Sequence, residues 1–150
     1  INTSHVGSEY AAQACKNNQY PYIYWSGKVL NKSYPAVAQG WVIAQADLAG
    51  FMHTTLDEIG FTTKEKTDML EYWLPEMLKK NSPYYRVSFL QNQEMNEFVP
   101  MNIIPKPDSV YRLFLDWEPL ENDHLILKPQ QLAKVQREGF AVVEWGGLRR

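Results

Sequence analysis

From Val110 to Trp117 apolar and polar positions alternate, with Tyr111, Leu113, Leu115 and Trp117 on one side and Val110, Arg112, Phe114 and Asp116 on the other. Successive side chains of a β-strand leave opposite faces, so a period of two over eight residues demands a strand with one face against a core. The same period follows Ser82-Pro83, where Tyr85, Val87 and Phe89 alternate with Tyr84, Arg86 and Ser88. Gly40 to Gln45 reads as a strand of the buried kind and Gly139 to Trp145 as the last strand, which Gly146-Gly147 is expected to close. Tyr20 to Trp25 reads as an aromatic strand turning at Ser26-Gly27, and Phe98 to Ile104 as another, ended by Pro105-Lys106-Pro107.

Two segments follow the helical period instead. Leu48, Phe51, Met52, Leu56 and Ile59 make one stripe, with Asp47 placed to cap it and Gly60 to end it. Thr62 and Glu65 have capping-box spacing, and Met69, Leu70, Trp73, Leu74, Met77 and Leu78 share a side of the helix they start. Lys79 and Lys80 suit its C-terminal dipole, and Pro75 inside the pattern predicts a kink or break near Tyr72 to Leu74. A short helix over Ser8 to Lys16 and a helical turn over Gln130 to Val135 complete the expectation. The fold class is therefore α+β: a two-layer, mainly antiparallel sheet with two amphipathic helices on one face. Residues 1–19 read as an N-terminal extension and 20–150 as a single globular domain.

If the apolar strand faces meet the helices, Arg86, Ser88, Asn102, Arg112, Asp116 and Glu144, with Tyr22 and Tyr24, fall on the opposite face, which is expected to be polar and aromatic. Composition narrows what such a face can serve. In 150 residues 45% are hydrophobic, enough for one core without disulfides or metals. The net charge of −2 and the scattered pairs Lys64/Lys66, Lys79/Lys80 and Arg149/Arg150 make no basic field for nucleic acid. The one cysteine, Cys15, offers no disulfide or thiolate zinc cluster, and its alanine-rich setting nothing that lowers a thiol pKa. No apolar run reaches the roughly 20 residues of a transmembrane helix. The chain begins at Ile1 without a signal-peptide layout, which fits a processed secreted form or a piece of a longer protein.

No nucleophile elbow, phosphate loop, dinucleotide turn or HExxH helix occurs. His53 and Asp57 are four apart on a helix and have the spacing of two metal ligands or of an exposed surface pair; the surface pair is preferred, and no metal or cofactor is expected. Glu144 and Asp116 are the carboxylates to consider for glycoside or peptide hydrolysis, with Arg112 as orienting charge; a cross-strand Arg112–Glu144 ion pair that fixes register is the preferred alternative. Tyr20, Tyr22, Tyr24 and Trp25 form either core or a stacking platform for sugars or peptide side chains.

Four stretches share an order and spacing: Tyr22-Ile23-Tyr24-Trp25-Ser26-Gly27, Tyr72-Trp73-Leu74-Pro75, Pro105-Lys106-Pro107-Asp108 followed by Arg112, and Arg137-Glu138-Gly139-Phe140 running into Val142-Val143-Glu144-Trp145-Gly146-Gly147. Over residues 20 to 147 this resembles an uncharacterised bacterial domain, often C-terminal in secreted or surface-attached proteins. Ser26 stands where the family pattern has an acidic residue. The resemblance implies a secreted or cell-surface bacterial setting and no established activity. The expected function is a non-catalytic module binding a protein or glycan through Tyr22, Tyr24, Trp25, Arg86, Arg112 and Glu144, with a carboxylate-dependent hydrolase as the alternative.

Overall fold

The computed structural model describes residues 22–27 and 34–150, and the chain falls into two compact units, Ile1–Ser33 and Tyr34–Arg150. The expected helix over Ser8 to Lys16, Cys15 and Tyr20 lie outside the described residues. In the first unit, residues 22–27 carry no regular secondary structure, so the aromatic strand expected there is not found in that stretch.

The second unit holds β1 (Trp41–Ala44), α1 (Leu48–Glu58), α2 (Thr63–Leu78), β2 (Tyr84–Leu90), α3 (Asn92–Phe98), β3 (Ser109–Leu120) and β4 (Ala141–Arg149). The sheet order is β1-β2-β3-β4. β1 and β3 flank β2 antiparallel, and β4 runs parallel to β3 with Arg112 opposite Glu144. The sheet is thus mixed, and the fold class is α+β. β4 does not stop at Trp145: Gly146 pairs with Phe114, Gly147 with Leu115, and pairing continues to Arg149. The glycines fit there because a Cβ on Gly146 would lie 2.8 Å from the Phe114 ring, and one on Gly147 2.8 Å from the Leu115 carbonyl oxygen. They admit close neighbours instead of turning the chain.

Both helices form where their stripes predict and pack on one sheet face. Leu48, Met52 and Leu56 of α1 and Met69, Leu70 and Met77 of α2 share a buried cluster with Tyr85, Val87, Phe89, Tyr111, Leu113, Leu115 and Trp117. Burying each large apolar side chain contributes about 1.5–3 kcal/mol, so the stripe holds the helix down. Gly60, at φ +90°, ends α1. Asp47 does not cap it: a 3-10 turn over Gln45–Asp47 enters the helix and the Asp47 side chain makes no cap hydrogen bond. At α2, Glu65 N–H donates to the Thr62 hydroxyl and Thr62 N–H to the Glu65 carboxylate, the reciprocal box its spacing implied.

Pro75 does not break α2, which runs uninterrupted to Leu78. Proline removes the donor that would serve the Glu71 carbonyl, but Glu71 and Pro75 both lie on the exposed side. Trp73 packs against the core edge. Residues 98–104 form no strand; α3 occupies Asn92–Phe98, begun where Gln91 N–H donates to the Glu94 carboxylate, and a loop follows. The helical turn expected at Gln130 to Val135 is not formed, and these residues carry no regular secondary structure. The Gln130 side chain imitates a strand, accepting from Phe89 N–H at 2.9 Å and donating to the Phe89 carbonyl at 2.6 Å.

Candidate functional site

The sheet face away from α1 and α2 is polar, as the alternation requires, but it is not an open surface. Arg86, Ser88, Arg112 and Asp116 are all buried, while Asn102 lies in an exposed loop outside any strand. Covering comes from segments whose periodicity carries no sign of it: α3 and Val99 over Arg112, and Tyr34, Pro35 and Arg150 around Asp116.

Two ion networks occupy this face. Asp116, fully buried, accepts from Arg86 Nη2 at 2.8 Å and from Arg150 through Nε at 2.9 Å and Nη2 at 2.6 Å. Arg86 also donates to the Asp116 carbonyl at 2.9 Å and reaches Glu118 at 3.2 Å. Tyr34 stands beside this cluster; burial, then the Asp116 charge, pushes its phenol above the usual value against the opposing pull of Arg150. In the second network Arg112 Nε donates to Glu144, while Nη1 donates to Asn96 at 2.9 Å and to the Val99 carbonyl at 2.7 Å. The Asn92 amide bridges to the main chain, accepting from Arg112 N–H at 2.6 Å and donating to the Val110 carbonyl at 2.7 Å. Arg112 Nη2 is buried and has no hydrogen-bond partner among the described residues.

The structure therefore brings Arg112 and Glu144 together as a pair in register and holds Asp116 apart from both. Arg112 and Asp116 are four residues apart on one strand, about 13 Å, with Phe114 between them on the same face. Arg112 does not serve as the orienting charge for Asp116, whose partners are Arg86 and Arg150. Two pockets among the described residues, of about 540 and 200 Å³, contain none of Arg86, Arg112, Asp116 or Glu144. Arg86 and Arg112, at 2% and 1% exposure, are committed to internal partners.

The other sequence candidates lie at the surface. Tyr22, Ile23 and Tyr24 are exposed, Ile23 at 82%, and Trp25 is half-buried. His53 and Asp57 are exposed on α1, and Asp57 pairs with Lys66 of α2. Among the described residues no group of three or more His, Cys, Asp or Glu is placed to hold a metal ion, and no helix is long and apolar enough to cross a membrane.

A groove that no sequence motif marks lies between α1 and the irregular segment at 130–134. It encloses about 540 Å³ and is lined by Trp41, Phe51, Thr54, Glu58, Gln131 and Lys134, among others. Phe51, Thr54 and Glu58 recur at helical spacing on one α1 face, and Trp41 in β1 meets Phe51 with ring centroids 5.2 Å apart. The only sequence signal was that Phe51 belongs to the apolar stripe while Thr54 and Glu58, one and two turns on, do not. A smaller pocket of about 200 Å³ lies between Gln91, Asn92, Tyr111 and Ala133. Two of its polar side chains are already engaged: Tyr111 donates to the Ala133 carbonyl at 2.8 Å, and Gln91 accepts from Ala133 N–H at 2.8 Å. Comparison with family models, curated proteins and solved structures returns no match for this chain.

Proposed function

We propose that this chain is a non-catalytic binding module that recognises a protein or a glycan, in an extracytoplasmic bacterial setting. The observation that carries the reading is a contrast in commitment. The acidic and basic groups best suited to acid–base work are tied to one another under a covered sheet face, whereas the open groove beside α1 presents two aromatic rings beside the side chains of Thr54, Glu58, Gln131 and Lys134, which make no hydrogen bond or ion pair among the described residues. Exposed Tyr22, Ile23 and Tyr24 add apolar surface in the first unit. The setting rests on the resemblance of the four sequence stretches alone.

The hydrolase alternative has less support. Glycoside hydrolysis uses two carboxyl groups about 5 to 10 Å apart across a substrate cleft. Here Glu144 and Asp116 sit at strand positions about 14 Å apart, each held by arginine and neither lining the two pockets described above. The test is to apply labelled protein to glycan and synthetic-peptide arrays and to assay the same ligands for new reducing ends or amines. Retention without turnover is the expected result. Turnover that disappears in Glu144→Gln, with the fold retained, would replace the binding reading with the hydrolase.

A further inference from the structure

The groove beside α1 carries more than a general capacity to bind. Its two walls differ in kind. Trp41 and Phe51 give a half-buried aromatic surface, fixed from behind because Trp41 also packs on Phe89 with centroids 6.4 Å apart. Around it stand the hydroxyl of Thr54, the carboxylate of Glu58, the amide of Gln131 and the ammonium of Lys134. All four residues are exposed, and among the described residues none of these side chains makes a hydrogen bond or ion pair. Nearby charges behave otherwise: Asp57 is held by Lys66, Lys64 by Asp68, and Glu65 by Arg137.

We infer that this groove binds a neutral oligosaccharide, an inference that rests on the binding-module reading and names its ligand class. Sugar hydroxyls both donate and accept, so they match a rim that offers a carboxylate acceptor, an ammonium donor, and an amide and a hydroxyl that do both. The apolar C–H face of a pyranose ring complements a flat aromatic wall. One carboxylate and one ammonium leave the rim without net charge. A phosphorylated or strongly acidic ligand would meet Glu58 with only Lys134 to offset it. A peptide helix needs a continuous apolar trough, and here the aromatic wall of Trp41 and Phe51 is short. The volume of about 540 Å³ is that of a small-molecule site and takes roughly one or two sugar rings.

The test uses the full chain, isotope-labelled for amide chemical-shift mapping, titrated separately with di-N-acetylchitobiose, cellobiose and maltose. At least one sugar should shift the amides of Thr54, Glu58, Gln131 and Lys134 saturably, with a dissociation constant on the order of millimolar, as suits an open groove with few polar contacts. Glu58→Gln and Lys134→Met should each weaken that binding at least about fivefold, the scale of one lost charged hydrogen bond. Both side chains are exposed, so the variants keep the dispersed spectrum of the folded chain, and Lys79→Met at the end of α2 should bind as the parent does. Absence of saturable shifts at these amides with all three sugars overturns the inference, as does tighter binding of glucose 6-phosphate than of any neutral sugar. Retention on the peptide array with no sugar shifts would remove the saccharide and keep the binding module; silence on both arrays and in the titrations would remove both.

Discussion

Replacing Asp116 by alanine tests the covered polar face most directly. The carboxylate is fully buried, and its loss leaves Arg86, 2% exposed, with the main-chain carbonyl of residue 116 and the partly exposed Glu118 as its remaining partners. Removing one member of a buried pair costs about 3–5 kcal/mol, because the stranded charge keeps its desolvation penalty. Arg150 contributes little to that figure: its side chain is 28% exposed and can swing to water, which limits its share to about 0–1 kcal/mol. Against a total stability of about 5–15 kcal/mol, Asp116→Ala should bring the urea midpoint down by about a fifth or more at unchanged slope. The control is the double variant Arg86→Met, Asp116→Leu, which removes both charges and keeps the volume. It should lie within about 1 kcal/mol of the parent or above it. Equilibrium unfolding followed by tryptophan fluorescence gives both numbers. A loss below about 1 kcal/mol for Asp116→Ala, or a double variant as unstable as the single, would refute the claim that Arg86 depends on this partner.

Three other perturbations have defined outcomes. Gly147→Ala should cost about 1–3 kcal/mol by thermal unfolding, because its Cβ would fall 2.8 Å from the Leu115 carbonyl oxygen; Gly146→Ala should cost less, since its Cβ meets the half-buried Phe114 ring, which can turn. Burial pushes the Tyr111 phenol from 10.0 up to about 12, so its contribution is complete below pH 10 and lost as pH rises through about 12. Tyr111→Phe should flatten the alkaline decline in stability over that interval and cost about 1 kcal/mol at neutral pH for the bond to Ala133. For Glu65, burial works upward, but the Thr62 N–H, Arg137 and the Thr62 hydroxyl together hold the carboxyl below its ordinary 4.5. Its contribution is present above that pH and lost as pH falls through the lowered value, so unfolding curves of Glu65→Gln below pH 4.5 should show a shallower acid slope than the parent.

The elements legible in the sequence are those whose signal is local. The α1 and α2 stripes, the Thr62–Glu65 box and the alternations in β2 and β3 each specify a period, and a period is enough to place a core face. Pairing partners are not local. Nothing in Val142-Val143-Glu144 distinguishes a parallel neighbour from an antiparallel one, and Gly146-Gly147 has the composition of a turn although close packing requires it within a strand. For α3, Gln91 and Glu94 carried the spacing of a helix start, but the segment is only seven residues long and too short to show a stripe.

The site was legible in chemistry and not in exposure. Alternation grouped Arg86, Arg112 and Asp116 on one face, because strand geometry fixes which side chains share a side, and the opposite charges of Arg112 and Glu144 suggested the pair that the register then brings together. It could not say that Arg150, 34 residues beyond Asp116, returns to cover that face. The groove escaped because its two walls are about 80 residues apart in the chain, and neither α1 nor the 130–134 segment carries a motif alone.

Register extension from Trp41–Val87 places Gln39 opposite Phe89, yet the Phe89 main-chain groups are taken by the Gln130 amide. A carboxamide has one donor and one acceptor, the same pair a peptide group offers, but no chain continues from it. The ladder therefore ends in a chemical stopper. A foreign strand that tried to prolong pairing along β2 past Trp41 would first have to evict an amide with both bonds satisfied, so β2 is closed to a new partner at this corner, while the outer side of β1 is a separate edge of the sheet.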